Sequence, residues 1–377
     1  MSKDGARTRT GIKAVAALAG VGIASVSRVL SGQPGSSPQL TQRVLEAARQ
    51  LGYTPNALAQ GLRRKTTRSI GFVGSDITNP LIASIVSGAE AVLSQAGFSI
   101  LLTNSAGVAS VDAERIETLL QRQVDGLIVL PALEDDPATL AVMRNVGVPL
   151  VLIDRTLPEA VPAHYVLSDH YRGVGDACRY LLAAGHRRIA LVVGRDVRPT
   201  RERVRAVEDA YAAAGLPDGL RVHHGTLTLA HGEAAVEEML SASQPPTAVI
   251  LGGNQLLEGA LRVVHRRGLT LGVDLSLVCC DDVPLSRFHQ PPIATVMRDS
   301  TQLGRRAAEV LLAQIASPGE SEPVHLETWF EPRGSAGAAP TSAPGPVKGL
   351  RSRQARSDAV KATPASAARQ RKRQSGT

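Results

Sequence analysis

The stretch Ile12-Lys13-Ala14-Val15-Ala16-Ala17-Leu18-Ala19-Gly20-Val21-Gly22-Ile23-Ala24-Ser25-Val26-Ser27-Arg28-Val29-Leu30 decides how the rest of the chain is read. Ile12, Val15, Ala16 and Ala19 recur at i, i+3, i+4 and i+7, one apolar stripe of a short helix. Gly20 breaks that helix, and Val26, Val29 and Leu30 mark the stripe of a second one, ended by Ser31-Gly32. Two short helices joined by a glycine-containing turn form the helix-turn-helix arrangement. A third helix follows the loop 31–37. Pro38 suits its first position, Ser36 or Ser37 its cap, and Gly52 its stop. Val44, Leu45, Ala48 and Leu51 are expected on its inner face. Three helices in about fifty residues enclose only a small core, so this unit is marginal alone.

In this arrangement the second helix lies in the major groove of DNA. Its N-terminal Ile23 and Ala24 face base edges, as does Arg28 one turn on. Arginine pairs bidentately with guanine, and a small apolar side chain touches the thymine methyl. Ser25 and Ser27 reach phosphates. The charge distribution agrees. The chain carries +8 in total, but residues 1–68 hold +9 and residues 336–377 hold +8, leaving −9 for the body. A basic head on an acidic body points to a polyanion partner for the head alone. Gly20-Val21-Gly22-Ile23-Ala24-Ser25 also starts like a dinucleotide-binding glycine loop, but the third glycine is missing and a helix precedes it where a strand is required.

Ile12-Lys13-x-Val15-Ala16-x-x-Ala19-Gly20-Val21, then Ser25-Val26-Ser27-Arg28-Val29-Leu30-x-Gly32, then Val44-Leu45-x-Ala47-Ala48-x-x-Leu51-Gly52-Tyr53-x-Pro55-Asn56 closely resemble the LacI/GalR family of bacterial repressors. Two positions depart from that pattern. Ala14 stands where the family usually has Asp, and Gly22 where it has Ser. Gly22 supplies no side-chain cap to the second helix, a loss of a few tenths of a kcal/mol relative to Ser. Pro55–Arg64 matches the family's hinge helix. The resemblance gives Asn56, Ala59 and Leu62 DNA-contacting positions there, with Leu62 wedging into the minor groove. Gly61 lowers the hinge's helix propensity by about 1 kcal/mol relative to Ala, which suits a segment that orders on docking.

From Ser69 onward short β-rich runs alternate with helical stretches. Runs 70–74, 99–103, 126–130 and 150–153 read as buried parallel strands, with helices near 80–96, 112–122 and 137–146 between them. A second set follows, with strands near 188–193, 221–224, 247–251 and 276–280 and helices near 171–184, 201–214, 231–241 and 256–267. Alternating β and α implies parallel sheets covered on both faces, and two such sets imply two similar lobes. The hydrophobic fraction of 43% supports a large core, and only 3% aromatic residues makes that core aliphatic. The expected fold class is therefore α/β: an all-α helix-turn-helix head on a two-lobed core that resembles periplasmic binding proteins. The head spans 1–54, the hinge 55–68, the core 69–335 and a disordered basic tail 336–377. The lobes are expected at 69–155 with 298–320, and at 170–290 with 328–335, with crossings near 155–170, 290–297 and 320–328.

Ligands of open α/β sheets bind at the carboxyl ends of strands, so two lobes make a closable cleft. Asp154, Asn254 and Asp281 follow strands, and Arg203 lies in the first turn of a helix after one. All four match positions that contact effector in the family. Carboxylate, amide and guanidinium groups converging in a cleft suit a polyhydroxylated or acidic small molecule. Asp154 paired with Arg155, and Asp281-Asp282 capping a turn, are the structural alternatives. Departures again bear on the ligand: Leu81-Ile82 stand where many relatives have aromatics, Gln255 replaces Asp, and Ala206 and Val207 replace a glycine and an aromatic. A sugar-like effector is the expectation from the resemblance.

A single small head reads too few base pairs, so a homodimer on a near-palindromic operator is expected, binding more weakly as salt rises. The helix at 80–96 is the candidate interface. Repression is the family's usual mode. No run of about 18 apolar residues is present, so no membrane span is expected. The charged start Met1-Ser2-Lys3-Asp4 does not read as a secretory signal, and the chain is placed in the cytoplasm. Cys178, Cys279 and Cys280 offer neither a disulfide framework nor a metal motif and read as buried apolar side chains. No cofactor, metal or catalytic residue is expected, and His186, His223 and His224 read as surface residues.

Overall fold

A computed structural model describes residues 11–30, 35–53, 66–157, 161–216 and 219–341. Three short helices open it: α1 (Ile12–Ala19), α2 (Ile23–Leu30) and α3 (Pro38–Gln50). Gly20 closes α1 in the left-handed conformation with φ 64°, where a glycine bears no Cβ penalty. Ser37 caps α3, its hydroxyl accepting from the Leu40 N–H at 3.3 Å, with Pro38 in the first turn. Val15, Ala16, Ala19, Val26, Val29, Val44, Ala47 and Ala48 form the core of the head. One expectation fails here. Leu45 is 45% exposed and Ala47 takes the inner position. The stripe runs Val44, Ala47, Ala48, Leu51, and Leu45 lies one residue, about 100°, off it.

The core holds two six-stranded sheets of the same plan. In the first, β1 (Ser69–Gly74), β2 (Ser99–Asn104), β3 (Gly126–Val129), β4 (Leu150–Ile153), β5 (His164–Ser168) and β11 (Val324–Leu326) take the order β11-β5-β4-β3-β1-β2, all parallel. In the second, β6 (Ile189–Val193), β7 (Leu220–His224), β8 (Ala248–Leu251), β9 (Ser276–Cys280), β10 (Ala294–Arg298) and β12 (Thr328–Glu331) take the order β12-β10-β9-β8-β6-β7. Only β12 is antiparallel to its neighbour. Central strands bury both faces. Ile70, Phe72, Ile128, Val151 and Ile153 point into one cluster, while Val73, Leu127, Val129, Leu150 and Leu152 point into the other. That is why these runs are continuously apolar rather than alternating.

Helices α4 (Pro80–Gln95), α5 (Ala109–Gln121) and α6 (Pro137–Met143) follow β1, β2 and β3. Helices α7 (His170–Ala183), α8 (Arg198–Ala213), α9 (Leu229–Ser241) and α10 (Leu257–Arg266) belong to the second lobe, with the short α11 (Pro284–Phe288) after β9. Helix α12 (Ser300–Ala316) returns to the first lobe and packs on α4. The contact is backbone-close: a Cβ on Gly304 would stand 1.8 Å from the Ile85 carbonyl oxygen, and one on Gly88 2.0 Å from that of Thr301.

The chain changes lobe between β5 and α7, between β10 and α12, and between β11 and β12. β5 and β11 are therefore strands of the first sheet and β10 a strand of the second. The first lobe extends through Ser168, beyond the expected 155, and the second through Arg298, beyond 290. The C-terminal boundary also moves. Residues 336–339, expected in the tail, are docked: the Gly337 N–H donates to Ser276 Oγ at 3.0 Å and the Ala339 N–H to the Ala184 carbonyl at 2.9 Å. His186, expected at the surface, is fully buried beneath them, with Nδ1 2.8 Å from Thr247 Oγ1 and Nε2 3.2 Å from the Gly337 carbonyl oxygen. Residues 342–377 lie outside the described residues. Among the described residues, no single helix is long and apolar enough to cross a membrane.

Candidate functional site

Two strand ends build the cleft. β4 and β9 occupy equivalent places in their sheets, and each is followed by an aspartate with positive φ, 51° at Asp154 and 69° at Asp281. Aspartate tolerates this region better than most side chains. Each aspartate N–H still extends the sheet, donating at 3.0 Å to Val166 and Val296 carbonyls respectively. The carboxylates turn toward the crossover strands, where Arg298 ends β10 between them. Arg298 Nε donates to Asp281 Oδ1 at 2.6 Å and Nη1 donates to Asp154 Oδ2. One guanidinium thus ties the first lobe to the second. Asp154 pairs with Arg298 rather than Arg155, whose Nη1 donates instead to the Asp154 carbonyl at 2.9 Å. The turn-capping role belongs to Asp282, which accepts from Ser286 Oγ and Arg333.

Burial pushes the Asp154 carboxyl up, but at the low pH where it titrates the protonated His170 ring, then the Arg298 guanidinium and the Ser168 N–H, outweigh burial and hold it well below the usual carboxylate range. Burial would lower Arg298, and its two carboxylate partners more than reverse that. Burial, then the nearby Arg203 charge, pushes His170 down to about 4. Its ring is therefore neutral near pH 7. Nδ1 accepts from Arg203 Nη2 at 3.2 Å, while Nε2 stands 3.4 Å from Asp154 Oδ2, outside hydrogen-bond geometry.

These groups line a cavity of about 460 Å³ between the lobes, within the usual size of small-ligand sites. Asp154, Arg203, Asn254 and Asp281 all line it, so the four expected cleft residues converge. Arg203 sits in the second turn of α8, because the helix starts at Arg198 rather than 201. Leu81 and Ile82 line the cavity as well, whereas Ala206 and Val207 are buried in the core of the second lobe. Asn254 Nδ2 donates to Asn79 Oδ1, and Gln255 Nε2 to Asp76 Oδ2, both at 2.9 Å and both across the cleft.

The sequence reading missed Arg298, His170 and Glu134. Glu134, in the loop after β3, is 5% exposed. Its carboxylate accepts from the Thr156 N–H at 2.9 Å in its own lobe. It also accepts from the Arg198 N–H at 3.0 and 3.1 Å and from Arg201 Nη2 at 2.6 Å, both in the second lobe. Val197 gives α8 no side-chain cap, so a residue of the opposite lobe occupies that place.

In the head, Ile23, Ala24 and Arg28 are exposed on α2, and Ser25 and Ser27 are half-buried. The Ser25 and Val26 N–H groups donate to the Gly22 carbonyl, which places Gly22 at the cap position. The hinge residues Asn56, Ala59 and Leu62 lie outside the described residues.

Residues 11–56 match the model of bacterial regulatory proteins of the lacI family, and residues 178–336 that of the periplasmic binding protein-like domain. The ribose operon repressor of Escherichia coli (strain K12) is 32% identical over 329 residues, which cover 86% of this chain and 99% of that one. The chain belongs to the LacI family. Among solved structures, the lac repressor dimer bound to operator and the anti-inducer ONPF superposes with a TM-score of 0.78 at 26% identity, covering 88% of this chain and all of that one. A transcriptional regulator CelR–cellobiose complex superposes with a TM-score of 0.64 at 31% identity, covering 87% and 100%. The two-lobed core and the helix-turn-helix head are those of a LacI-type regulator, and the cleft lies between the two α/β lobes.

Proposed function

We infer that this chain is a transcriptional repressor which binds a near-palindromic operator as a homodimer and changes its operator affinity when a small polyhydroxylated molecule enters the interlobe cleft. The carrying observation is the joint presence of α2, with Ile23, Ala24 and Arg28 on its exposed face, and a cleft whose polar groups come from both lobes. Two heads place about +18 near the duplex, so phosphate contacts supply much of the affinity. The base-edge residues of α2 supply the specificity. The hinge residues Asn56, Ala59 and Leu62 complete the reading at the centre of the site. The relatives' names, a ribose operon repressor and a cellobiose-bound regulator, support a carbohydrate-like effector here.

Asp154 and Asp281 come from opposite lobes, so a molecule that engages both favours one lobe arrangement over the other. That difference is what a ligand needs in order to shift operator affinity. The exposed face of α4 is the proposed dimer contact, and the protein works in the cytoplasm without a catalytic step. A reporter fused to the promoter this protein binds tests the sign: loss of the chain raises transcription for a repressor, and a fall identifies an activator.

A further inference from the structure

The charges lining the cleft are unevenly paired. Four arginines line the cavity (Arg155, Arg195, Arg203 and Arg298) against three aspartates, Asp76, Asp154 and Asp281. Arg298 alone engages two of the aspartates. Asp76 is taken up by Gln255 and by the Thr78 hydroxyl and N–H. Among the described residues, the other three arginines form no ion pair. Arg155 donates to the Pro131 and Asp154 carbonyls, and Arg195 to the Gly107 carbonyl.

Arg203 is the most exposed to consequence. It is 4% accessible to solvent, its guanidinium meets the neutral His170 ring and the Cys280 thiol, neither of them a counter-charge, and its Nε is buried with no hydrogen-bond partner. A buried guanidinium with an unmet donor calls for a counter-charge, and a planar fork suits an oxyanion best. The aspartates, meanwhile, already spend acceptor capacity on Arg298. Asp154 also accepts from the Ser168 N–H at 2.6 Å and the Ser168 hydroxyl at 3.2 Å.

We propose that the effector is an anionic polyol, bearing a carboxylate or a phosphate that pairs with Arg203, while Arg298 stays as the bridge between Asp154 and Asp281. This rests on the cleft being the effector site. The neutral hydroxyls of the ligand face Asn254, Asn79 and the remaining aspartate oxygens. Arg298 is then a specificity residue: by neutralising both aspartates it turns a site suited to a neutral sugar into one suited to an acid.

Isothermal titration of the full chain at constant ionic strength tests this with two matched sets: D-ribose, D-ribonate and D-ribose 5-phosphate, and D-glucose, D-gluconate and D-glucose 6-phosphate. An acid of at least one set is expected to bind at least tenfold tighter than its neutral parent, and the aldonate and phosphate arms say which anion is preferred. Arg203→Gln is expected to erase that preference. Arg298→Gln, which frees the aspartates, is expected to move it at least tenfold toward the neutral sugar, and serves alone if Arg203→Gln does not fold by near-ultraviolet circular dichroism. Neutral parents binding as tightly as their acids, or no binding by any of the six, overturns the proposal. So does acid binding that both substitutions leave unchanged. Tight neutral-sugar binding abolished by Asp281→Ala would leave the cleft as the effector site. Binding of any of the six that Arg203→Gln, Arg298→Gln and Asp281→Ala all fail to weaken would remove that reading as well.

Discussion

Replacing Glu134 by alanine is expected to open the cleft. Only the bonds that cross between lobes bear on opening. Arg201 is half exposed, so its 2.6 Å pair with Glu134 is screened and contributes at most about 1 kcal/mol. The Arg198 N–H is the first donor of α8 and has no other cap. Losing such a cap costs about 0.5–2 kcal/mol. Together the interlobe loss is about 2 kcal/mol, or about 30-fold in the ratio of closed to open lobes. The Thr156 bond is lost in both arrangements, so it lowers overall stability by about 1–3 kcal/mol without biasing the lobes.

Single-molecule energy transfer between dyes on Ser110→Cys and Ser243→Cys reads the equilibrium directly, since both positions are exposed, one on each lobe. The native cysteines will not compete: all three are buried, and burial pushes the Cys178 thiol up to about 12 and the Cys280 thiol to about 11. The open population should grow by the stated factor, and effector affinity should fall with the closed fraction. If only the melting temperature drops while the lobe distribution stays put, Glu134 is a local brace of the first lobe and its role across the cleft is wrong.

Arg28→Ala should cost about 1–3 kcal/mol in operator binding and relax base preference at one position per half-site, measured by competition among single-substituted duplexes; equal loss on every sequence would reassign it to phosphate. His170 titrates in the opposite sense to a paired histidine. Its folded value near 4 lies below the unfolded value of 6.5, so its contribution is intact above 6.5 and is lost as pH falls toward 4. His170→Asn should therefore shrink the loss of stability across that window by about 3 kcal/mol in denaturant titrations; an unchanged slope would mean the ring is not held neutral. Gly304→Ala should destabilise by about 1–3 kcal/mol or more, because the added Cβ meets the Ile85 carbonyl, and thermal unfolding would show it.

Much of the fold was legible because its central strands are buried on both faces. Runs such as Leu150-Val151-Leu152-Ile153 and Ser276-Leu277-Val278-Cys279-Cys280 stand out from any neighbour, and the aspartates that follow them were legible for the same reason. β5, β10, β11 and β12 lie toward the sheet edges, where polar and apolar residues mix. Val324-His325-Leu326 is three residues long, and its pairing with β5 is fixed by the fold rather than by local pattern. Arg298 stayed hidden because the strand that carries it, β10, was read as a crossing. Glu134 gives no local signal at all, since its partners lie 22, 64 and 67 residues away in sequence. His186 looked polar by its neighbours Arg187 and Arg188, yet the returning segment 336–339 covers it, a contact between elements about 150 residues apart.

The most direct test of the regulatory reading is selection of random duplexes by the full-length chain at near-physiological salt, followed by sequencing of the bound pool. Enrichment of a palindrome with one fixed half-site spacing is expected, with Arg28→Ala degrading the consensus at one position in each half. Binding that enriches no sequence and simply fades as salt rises would contradict it, leaving a basic head on a ligand-binding core rather than a sequence-specific dimer.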